Sequence, residues 1–306
     1  MFLTDNFTHS LVALFVGIIL IHYLKFKGNN KLPIIAVIIA GNLPDIDFIF
    51  RIFGAAFYFT NHRVLTHSVF GQIILALILA LIFAYVVKQK QFFKYLLLSL
   101  AGIIVHVFLD IITSFGTVVL YPFSEARWAF SIIPIFDIFI ISIFLVGLWF
   151  LKVQPEHRIK IAKATLFIFL VFLLFKTGLH FQAKEATIDL KDYDHVEVVP
   201  HFFNPFGWKA IVFESNSYLI ADFDLTVGGF KEFSYYPIED DLRIELSKKD
   251  LFVRQFLEFS KAPYPFINDN EIKWLDLRVT EGDFIGISAV VNFDGNNNII
   301  NSRFGI

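Results

Sequence analysis

The sequence predicts an α-helical polytopic membrane domain of about six spans over residues 1–183, followed by a smaller soluble, mainly β (α+β) domain over residues 184–306. Two observations lead to this fold class. The 306 residues are 56% hydrophobic and only 18% charged, with a mean hydropathy of +0.64, which is too apolar for an ordinary soluble domain. From about Lys184 onward, however, charged residues alternate with Val, Ile, Phe and Tyr, as is typical of half-buried strands.

Apolar runs long enough to cross the roughly 30 Å hydrocarbon core of a bilayer recur through the first domain. The clear runs are Phe7–Leu24, Ser68–Val87, Tyr95–Ile112, Trp128–Leu151 and Ala164–Phe181. A sixth run, Leu32–Leu43, is short and is followed by a second apolar piece, Phe48–Phe59. Because irregular backbone at membrane depth survives only where protein or water satisfies it, we expect a helix that stops at a polar site near one interface.

Basic residues between the runs predict the orientation of the protein in the membrane. They gather in three loops that share one side if there are six spans, and the positive-inside rule makes that side cytoplasmic. Both termini and the β domain then lie outside the cytoplasm, in a multi-pass protein of a bacterial or archaeal plasma (inner) membrane. The residues concerned are Lys25, Lys27, Lys31, Lys88, Lys90, Lys94, Lys152, Arg158, Lys160 and Lys163.

Turn signals divide the second domain into short strands. They occur at Asn204-Pro205, Gly228-Gly229 and Asp294-Gly295. The alternating pattern between them predicts one helix, Asp250–Ser260, and strands at Ala210–Phe213, Ser217–Leu225, Trp274–Val279 and Ile285–Phe293.

Composition limits the cofactors and partners of the protein. The net charge is −2 and the basic residues are not pooled, so we expect no nucleic-acid partner, and the lipid bilayer is the expected one. The chain has no cysteine, which excludes a disulfide framework, an iron–sulfur cluster and a thiolate zinc site. Any metal must therefore be held by His and carboxylate side chains. The sequence leaves the oligomeric state open.

His106 and Asp110 are the first candidates for a functional site. Four residues apart in a helix, they share one face of a span that is otherwise Ile, Val, Phe and Leu. Ionisable groups inside spans usually face a polar cavity and mark a functional path. The alternative is a mutually satisfied His–Asp hydrogen bond that joins two helices.

Asp45 and Asp47 follow Pro44, in the extended or turn backbone that such a sequence favours. Carboxylates this close repel each other unless a cation, a proton or water intervenes. They are therefore candidate metal ligands, although a helix-ending turn that faces water would show the same residues.

His62 and His67 lie five positions apart, just before the span that starts at Ser68. A regular helix would point them in different directions, whereas a loop, or a cap at Thr66, could bring them together. Arg63 and the nearby helix N-terminus would attract an anionic oxygen. A hydrated interfacial loop is the alternative.

His9 and Asp137, at the outer ends of the first and fifth predicted runs, complete the candidates. Lys176 and His180 near the outer end of the last run either snorkel to the interface or face the site, and we expect snorkelling. The outer ends of the helices thus carry four His and four Asp as site candidates: His9, His62, His67, His106, Asp45, Asp47, Asp110 and Asp137. Such a set suits zinc, manganese or iron held between helices.

Short polar motifs follow one another along the first half of the chain, at Thr8-His9, Pro44-Asp45-Ile46-Asp47, His62-Arg63-Val64-Leu65-Thr66-His67-Ser68, His106–Asp110, Gly116-Thr117 and Pro122-Phe123-Ser124. In order and content they resemble the YdjM-like family of predicted membrane-bound metal-dependent hydrolases. The resemblance covers roughly residues 1–150 and departs from the family pattern at Val64, where a small residue is common. It implies an integral membrane protein with metal-dependent hydrolase activity, to which this chain adds a C-terminal soluble extension.

We therefore predict a metal-dependent hydrolase with zinc as the expected metal and manganese or iron as alternatives. A bound divalent cation would activate water, Asp47 or Asp137 could act as general base, and Arg63 could hold an anionic group. A lipid-like or phosphoester substrate is expected because the site lies at the membrane interface. The candidate ligands are His9, Asp45, Asp47, His62, His67, His106 and Asp110.

A non-enzymatic function is the alternative: a metal-stabilised membrane scaffold, or an ion transporter, with a partner-binding C-terminal domain. Ionisable residues along a whole span would favour conduction. Here they collect at one end of the spans, which favours a surface site and the hydrolase.

Overall fold

A computed structural model describes residues 2–26, 31–87, 91–187, 195–201, 204–224, 227–281 and 284–305. The chain divides into two compact units. The first comprises residues 1–47 and 63–178, and the second comprises residues 48–62 and 179–306. Lys27, Lys88 and Lys90, on which part of the predicted orientation depends, lie outside the described residues.

Helices account for most of the first unit. Three of them, α1, α4 and α5, contain stretches long and apolar enough to cross a membrane, and α2 with the following 3-10 helix forms a pair bent by 48° that adds a fourth if it counts as one span. The structure thus confirms three to four apolar helices of membrane-spanning length, and the six predicted spans stay a prediction. The helices are α1 Phe2–Leu24, α2 Lys31–Ala40, the 3-10 helix Leu43–Phe53, α3 Ala55–Asn61, α4 Val69–Val87, α5 Phe92–Ile111, α6 Ile138–Val153, the 3-10 turn Pro155–His157 and α7 Arg158–Ala186.

The fifth predicted run differs most from the structure. Helix α6 begins only at Ile138, whereas Trp128 pairs in a two-stranded ribbon of β1 (Thr117–Val118) and β2 (Arg127–Trp128). Asp137 was expected one turn inside the span, but it caps α6 by accepting hydrogen bonds from the backbone N–H groups of Phe139 and Ile140. Hydropathy does not register this start, because seven of the ten residues before the cap are Trp, Ala, Phe or Ile.

Helix α5 is the centre of the first unit and packs against α1, α2 and α4. Small side chains allow a close approach of α2, since Ala36 and Ala40 are fully buried in the cluster that includes Ile103 of α5. At Gly102 a Cβ would lie 2.6 Å from the Cβ of Ala40 and 2.8 Å from the carbonyl oxygen of Val37. Small residues at helix contacts are the usual means of close packing in membranes.

The second unit contains two four-stranded antiparallel sheets, so the prediction of a β-rich C-terminal domain is confirmed. Their strand orders are β3-β4-β5-β6 and β12-β11-β8-β7, and the predicted helix appears as α9 Leu251–Phe259, preceded by α8 Leu242–Ser247. A small ribbon pairs β9 with β10. Leu225, the last residue of one predicted strand, lies outside the described residues. The strands are β3 His195–Pro200, β4 Gly207–Glu214, β5 Ser217–Asp224, β6 Gly229–Pro237, β7 Pro263–Asn268, β8 Glu271–Asp276, β9 Thr280–Glu281, β10 Phe284–Ile285, β11 Ser288–Phe293 and β12 Ile299–Gly305.

Side chains from neighbouring strands and from the end of α7 build the core of this unit. Trp208 and Ala221, on neighbouring strands, are fully buried together with Leu179 and Ala183 from the end of α7. Asp276 and Arg278 form a buried ion pair, with 2.6 Å between Oδ2 and Nη2. The pairing is bidentate, because the guanidinium Nε also donates to Oδ1 of the same carboxylate over 3.0 Å, and Nη2 donates further to the carbonyl oxygen of Phe259 over 3.3 Å.

Candidate metal centre

Ionisable side chains from four separate parts of the first unit meet in its interior. His9 comes from the first turns of α1, Asp45 and Asp47 from the start of the 3-10 helix, His67 from the loop before α4, and His106 and Asp110 from the last turns of α5. Almost all are removed from solvent, at 0–2% exposure, while the side chain of Asp45 is 19% exposed. We refer to these six residues as the His/Asp cluster.

Two imidazole nitrogens at the centre of the cluster lie close to each other and to two carboxylate oxygens. The Nε2 atoms of His67 and His106 are 3.1 Å apart. Oδ2 of Asp110 lies 3.1 Å from the first and 3.3 Å from the second. Oδ1 of Asp45 lies 3.5 Å and 3.4 Å from the same two nitrogens.

These separations are those of ligands around a small divalent metal. Nitrogen and oxygen ligands lie about 2.0–2.1 Å from a four-coordinate zinc ion, so tetrahedral geometry places them about 3.3–3.4 Å apart. The distances from the two nitrogens to each other and to the carboxylates are 3.1–3.5 Å. The residues present therefore fit a metal ion, as two neutral imidazoles and two carboxylates.

The proton position on His106 supports this fit. Its Nδ1 lies 2.9 Å from the carbonyl oxygen of Gly41. A carbonyl can only accept a hydrogen bond, so Nδ1 carries a proton, and a neutral ring would then present its lone pair at Nε2. Backbone carbonyls commonly orient metal-binding histidines in this way.

His67 is oriented by a relay of side chains. The hydroxyl of Thr66 donates to Oδ2 of Asp47 over 2.9 Å, and the same hydroxyl oxygen lies 2.9 Å from Nδ1 of His67. Since the single hydroxyl proton is used on the carboxylate, the oxygen accepts a hydrogen bond from the N–H at Nδ1. A neutral His67 would therefore also present its lone pair at Nε2, toward His106.

Arg63 holds one side of Asp110. Its Nη2 lies 2.7 Å from Oδ1 of Asp110, and its Nη1 donates to Oγ1 of Thr113 over 3.2 Å. The backbone N–H of Arg63 also donates to Oδ2 of Asp47 over 3.2 Å. Arg63 has φ 62°, in the left-handed region that few non-glycine residues adopt, so these contacts maintain a strained backbone.

His9 borders the cluster on a further side. Its Nε2 lies 3.7 Å from Oδ1 of Asp110, and its ring centroid is 4.1 Å from that of His106. His9, Asp45 and His106 each offer one ligand atom within 4.8 Å of the other two, as do His67, His106 and Asp110. The two groups share His106, so His9 is placed where it could complete a ligand set.

His62 and Asp137 are predicted site residues that the six-residue cluster, as defined above, does not include. His62 belongs to the second unit, where it follows α3 and stacks on Tyr58 with ring centroids 4.7 Å apart. Asp137 caps α6 and interacts electrostatically with Lys176. Lys176 is fully buried, so the prediction that it snorkels is wrong. Buried near Asp137, its ammonium has a carboxylate partner within the protein.

The loop before α4 also corrects an expectation. Ser68, rather than Thr66, caps α4 by accepting a hydrogen bond from the backbone N–H of Gly71 over 3.1 Å. Thr66 is thereby available to join Asp47 to His67.

Two supporting residues were missed at the level of sequence. Gly41 acts through its carbonyl oxygen, which no side-chain pattern reveals. Thr113 accepts from Arg63 and donates to the carbonyl oxygen of Asp110 over 2.7 Å. Its position three residues after Asp110 was the available signal, because that spacing brings a hydroxyl back to the preceding turn.

Comparison with known proteins places this cluster in a family. Residues 4–182, which contain the whole His/Asp cluster, match the family model described as YdjM inner membrane protein. The chain is a member of the YdjM family. With its apolar helices, this membership identifies a membrane protein that carries His/Asp groups able to bind a metal ion.

The remainder of the chain has its own match. Residues 243–306 match the YfhP C-terminal alpha/beta plait domain. Over 270 residues the chain is 25% identical to the protein named "Uncharacterized protein YfhP" of Bacillus subtilis (strain 168), with 84% of this chain and 80% of that protein covered. No solved structure matches the chain.

Proposed function

We propose that this YdjM-family member is a membrane-bound metal-dependent hydrolase with its active site at the His/Asp cluster. One observation carries the proposal: the Nε2 atoms of His67 and His106 face each other at 3.1 Å while both Nδ1 atoms have hydrogen-bond partners elsewhere. Two neutral imidazoles and two carboxylates at such distances would repel one another without a cation between them. A divalent metal supplies that cation and would lower the pKa of a bound water and polarise a substrate oxygen.

The proposed ligands are His67, His106, Asp45 and Asp110, with His9 as an alternative to one of them. Zinc suits this borderline set best, and manganese or iron would also accept it. Asp45 is the most exposed member of the cluster, so water and substrate would reach the centre on its side.

Asp47 and Arg63 support the ligands in this proposal. Asp47 orients His67 through Thr66, and Arg63 orients Asp110 through its ion pair. The general-base role predicted for Asp47 or Asp137 and the anion-holding role predicted for Arg63 stay predictions. Asp47→Asn and Arg63→Lys test them, because each keeps the size of the side chain while removing the charge or the planar fork.

The proposed substrate is a lipid-like molecule or a phosphoester, and the proposed site faces away from the cytoplasm. In support, the cluster uses the first turns of α1 and the last turns of α5, whereas Lys25 follows α1 and Lys94 lies in the first turn of α5. The basic residues thus mark the helix ends opposite to the cluster, as the positive-inside rule requires of an extracytoplasmic site.

Metal analysis and hydrolysis assays on the same detergent-purified preparations test the activity. We expect about one bound divalent ion per chain and cleavage within a panel of phosphodiesters, phosphomonoesters and carboxylic esters, both lost after chelation. Asp47→Asn should keep the metal and lose rate if Asp47 is only a base, and lose both if it binds metal. A metal-free, inactive wild-type protein would refute the proposal.

Cysteine labelling tests the orientation. Because the chain has no cysteine, single cysteines introduced at Lys160 and at Phe123, which is 92% exposed, report on one position each. We expect an impermeant maleimide to label position 123 in intact cells and position 160 only after lysis. The reverse pattern would refute the proposed topology.

A further inference from the structure

Residues Phe48–His62, here named the connecting segment, lie between two residues next to the proposed metal centre. Asp47 immediately precedes the segment and Arg63 immediately follows it. The hydrogen bond from the backbone N–H of Arg63 to Oδ2 of Asp47, at 3.2 Å, closes its base. The segment itself packs as part of the second unit, with residues 179–306. Its two ends are therefore joined by peptide bonds to site residues, while its body belongs to the C-terminal unit.

The connecting segment has a compact structure of its own. The 3-10 helix runs to Phe53, and the chain then turns at Gly54 (φ 105°) into α3. Phe53 and Phe57 pack across this turn with ring centroids 5.4 Å apart. Helix α3 ends at Asn61, two residues before Arg63, so a shift of α3 moves the backbone that leads into Arg63.

Phe59 attaches the connecting segment to the C-terminal strands and helices. Its side chain is only 6% exposed. Its ring stacks on Phe304 of β12 with centroids 5.4 Å apart and meets the edge of Phe259 of α9 at 6.0 Å. Aromatic pairs of this kind contribute beyond the area they bury.

We propose that Phe59 is a positioning residue through which the C-terminal domain holds Asp47 and Arg63 in place. Arg63 needs such support, because its φ of 62° is unfavourable for a side chain with a Cβ. Asp47 and Arg63 in turn orient His67, through Thr66, and Asp110. The inference rests on the proposed metal centre for its consequence, but the mechanical link can be measured without a metal.

Hydrogen exchange on the full-length protein in lipid nanodiscs measures the link. We expect Phe59→Ala and Phe304→Ala each to speed exchange of the amides of residues 63–68. The double variant should add little to either, since both remove the same contact. Phe57→Ala is the matched control: it truncates the same residue type in the same helix, but its ring is 40% exposed and packs within the connecting segment.

Zinc affinity supplies the second measurement. Competition with a chromophoric chelator should show about 10-fold weaker binding in Phe59→Ala and Phe304→Ala, the usual effect of disturbing groups that orient ligands. Phe57→Ala should bind as the wild type does. If Phe59→Ala does not fold, Phe59→Leu should show a smaller rise in exchange at the same amides.

The outcomes separate the two proposals. Unchanged exchange at residues 63–68 and unchanged zinc affinity in both Phe59→Ala and Phe304→Ala would overturn the role of Phe59. A wild-type protein that binds no metal would refute the proposed function, while the exchange data would still decide whether Phe59 holds the Asp47 and Arg63 positions.

Discussion

Buried charges occur in both units of this protein, and they are satisfied in opposite ways. In the C-terminal domain the guanidinium of Arg278 meets the carboxylate of Asp276 donor to acceptor, at 2.6 Å and 3.0 Å. In the His/Asp cluster the Nε2 atoms of His67 and His106 converge with the carboxylate of Asp110, so that acceptors meet acceptors when both rings are neutral.

The difference shows what each arrangement needs. Burying a charge costs free energy that a well-placed partner can offset, and the Asp276–Arg278 pair holds that partner within the chain. Among the described residues, Arg63 supplies a cation beside the cluster: its Nη2 lies at Oδ1 of Asp110, while the two Nε2 atoms lie 3.1 Å and 3.3 Å from Oδ2. The stability of the Asp276–Arg278 pair should therefore not depend on metal, whereas the stability of the cluster should depend on it.

The largest expected effect on stability comes from breaking the Asp276–Arg278 pair. Asp276→Asn leaves the Arg278 charge buried without its partner, which should cost about 3–5 kcal/mol of the free energy of unfolding. Urea titration of the full-length protein, followed by exchange of the β8 amides, measures it with and without chelator.

Asp241→Asn is the matched control. Asp241 and Arg243 have the same spacing and fork geometry, but their side chains are 22% and 17% exposed, so the cost should be below about 1 kcal/mol. If the loss of unfolding free energy in Asp276→Asn depended on the chelator, the two units would not differ in the way described above.

The second effect concerns the cluster itself. His106→Ala removes one of the two facing nitrogens and should weaken zinc binding by at least about 100-fold, measured by chelator competition. His157→Ala, at an exposed histidine in the loop before α7, should leave the affinity unchanged. Equal zinc affinity in the two variants would remove the cluster as the metal site.

The third effect tests helix spacing without changing a ligand. Gly102→Ala places a Cβ 2.6 Å from the Cβ of Ala40 and 3.0 Å from the backbone nitrogen of Gly41, so α2 and α5 must separate. Overpacking of this kind costs about 1–3 kcal/mol, and it should also lower zinc affinity by shifting the Gly41 carbonyl away from His106.

Gly178→Ala, in α7, is the control, because a Cβ there meets nothing within 4 Å. Thermal unfolding and zinc competition should show an unchanged melting temperature and an unchanged zinc affinity in this variant. Normal zinc affinity in Gly102→Ala would mean that the spacing of α2 and α5 does not control the centre.

The smallest effect is a pH dependence in the C-terminal domain. Hydrogen bonds from the side chain and backbone of Asn298, and from the backbone of Asn296, hold the pKa of the exposed Asp294 below its usual value of 3.8. The turn is therefore stabilised above that value and loses the contribution as pH falls through the lowered pKa. Amide chemical shifts of Asn298 should follow this titration and be insensitive to chelator, and Asp294→Asn should abolish it.

The sequence by itself determined the chemistry available to this protein. A cysteine-free chain leaves only His and carboxylate ligands, and the four-residue spacing of His106 and Asp110 puts them on one helix face in any structure. Apolar runs and alternating strands follow from local periodicity, so α1, α4, α5 and the C-terminal sheets could be predicted.

Only the tertiary structure decided which of those groups meet. His9, Asp45, His67 and His106 converge because α1, α2 and α5 pack closely at small residues, and that spacing is a property of the assembled helices. Proton positions depend equally on distant partners, such as the Gly41 carbonyl on His106. Three further features depend on the tertiary structure: the burial of Lys176, the late start of α6, and the membership of residues 48–62 in the C-terminal unit. Lipid and a protein core are equally apolar, so hydropathy records that a side chain avoids water and cannot record which partner replaces the water.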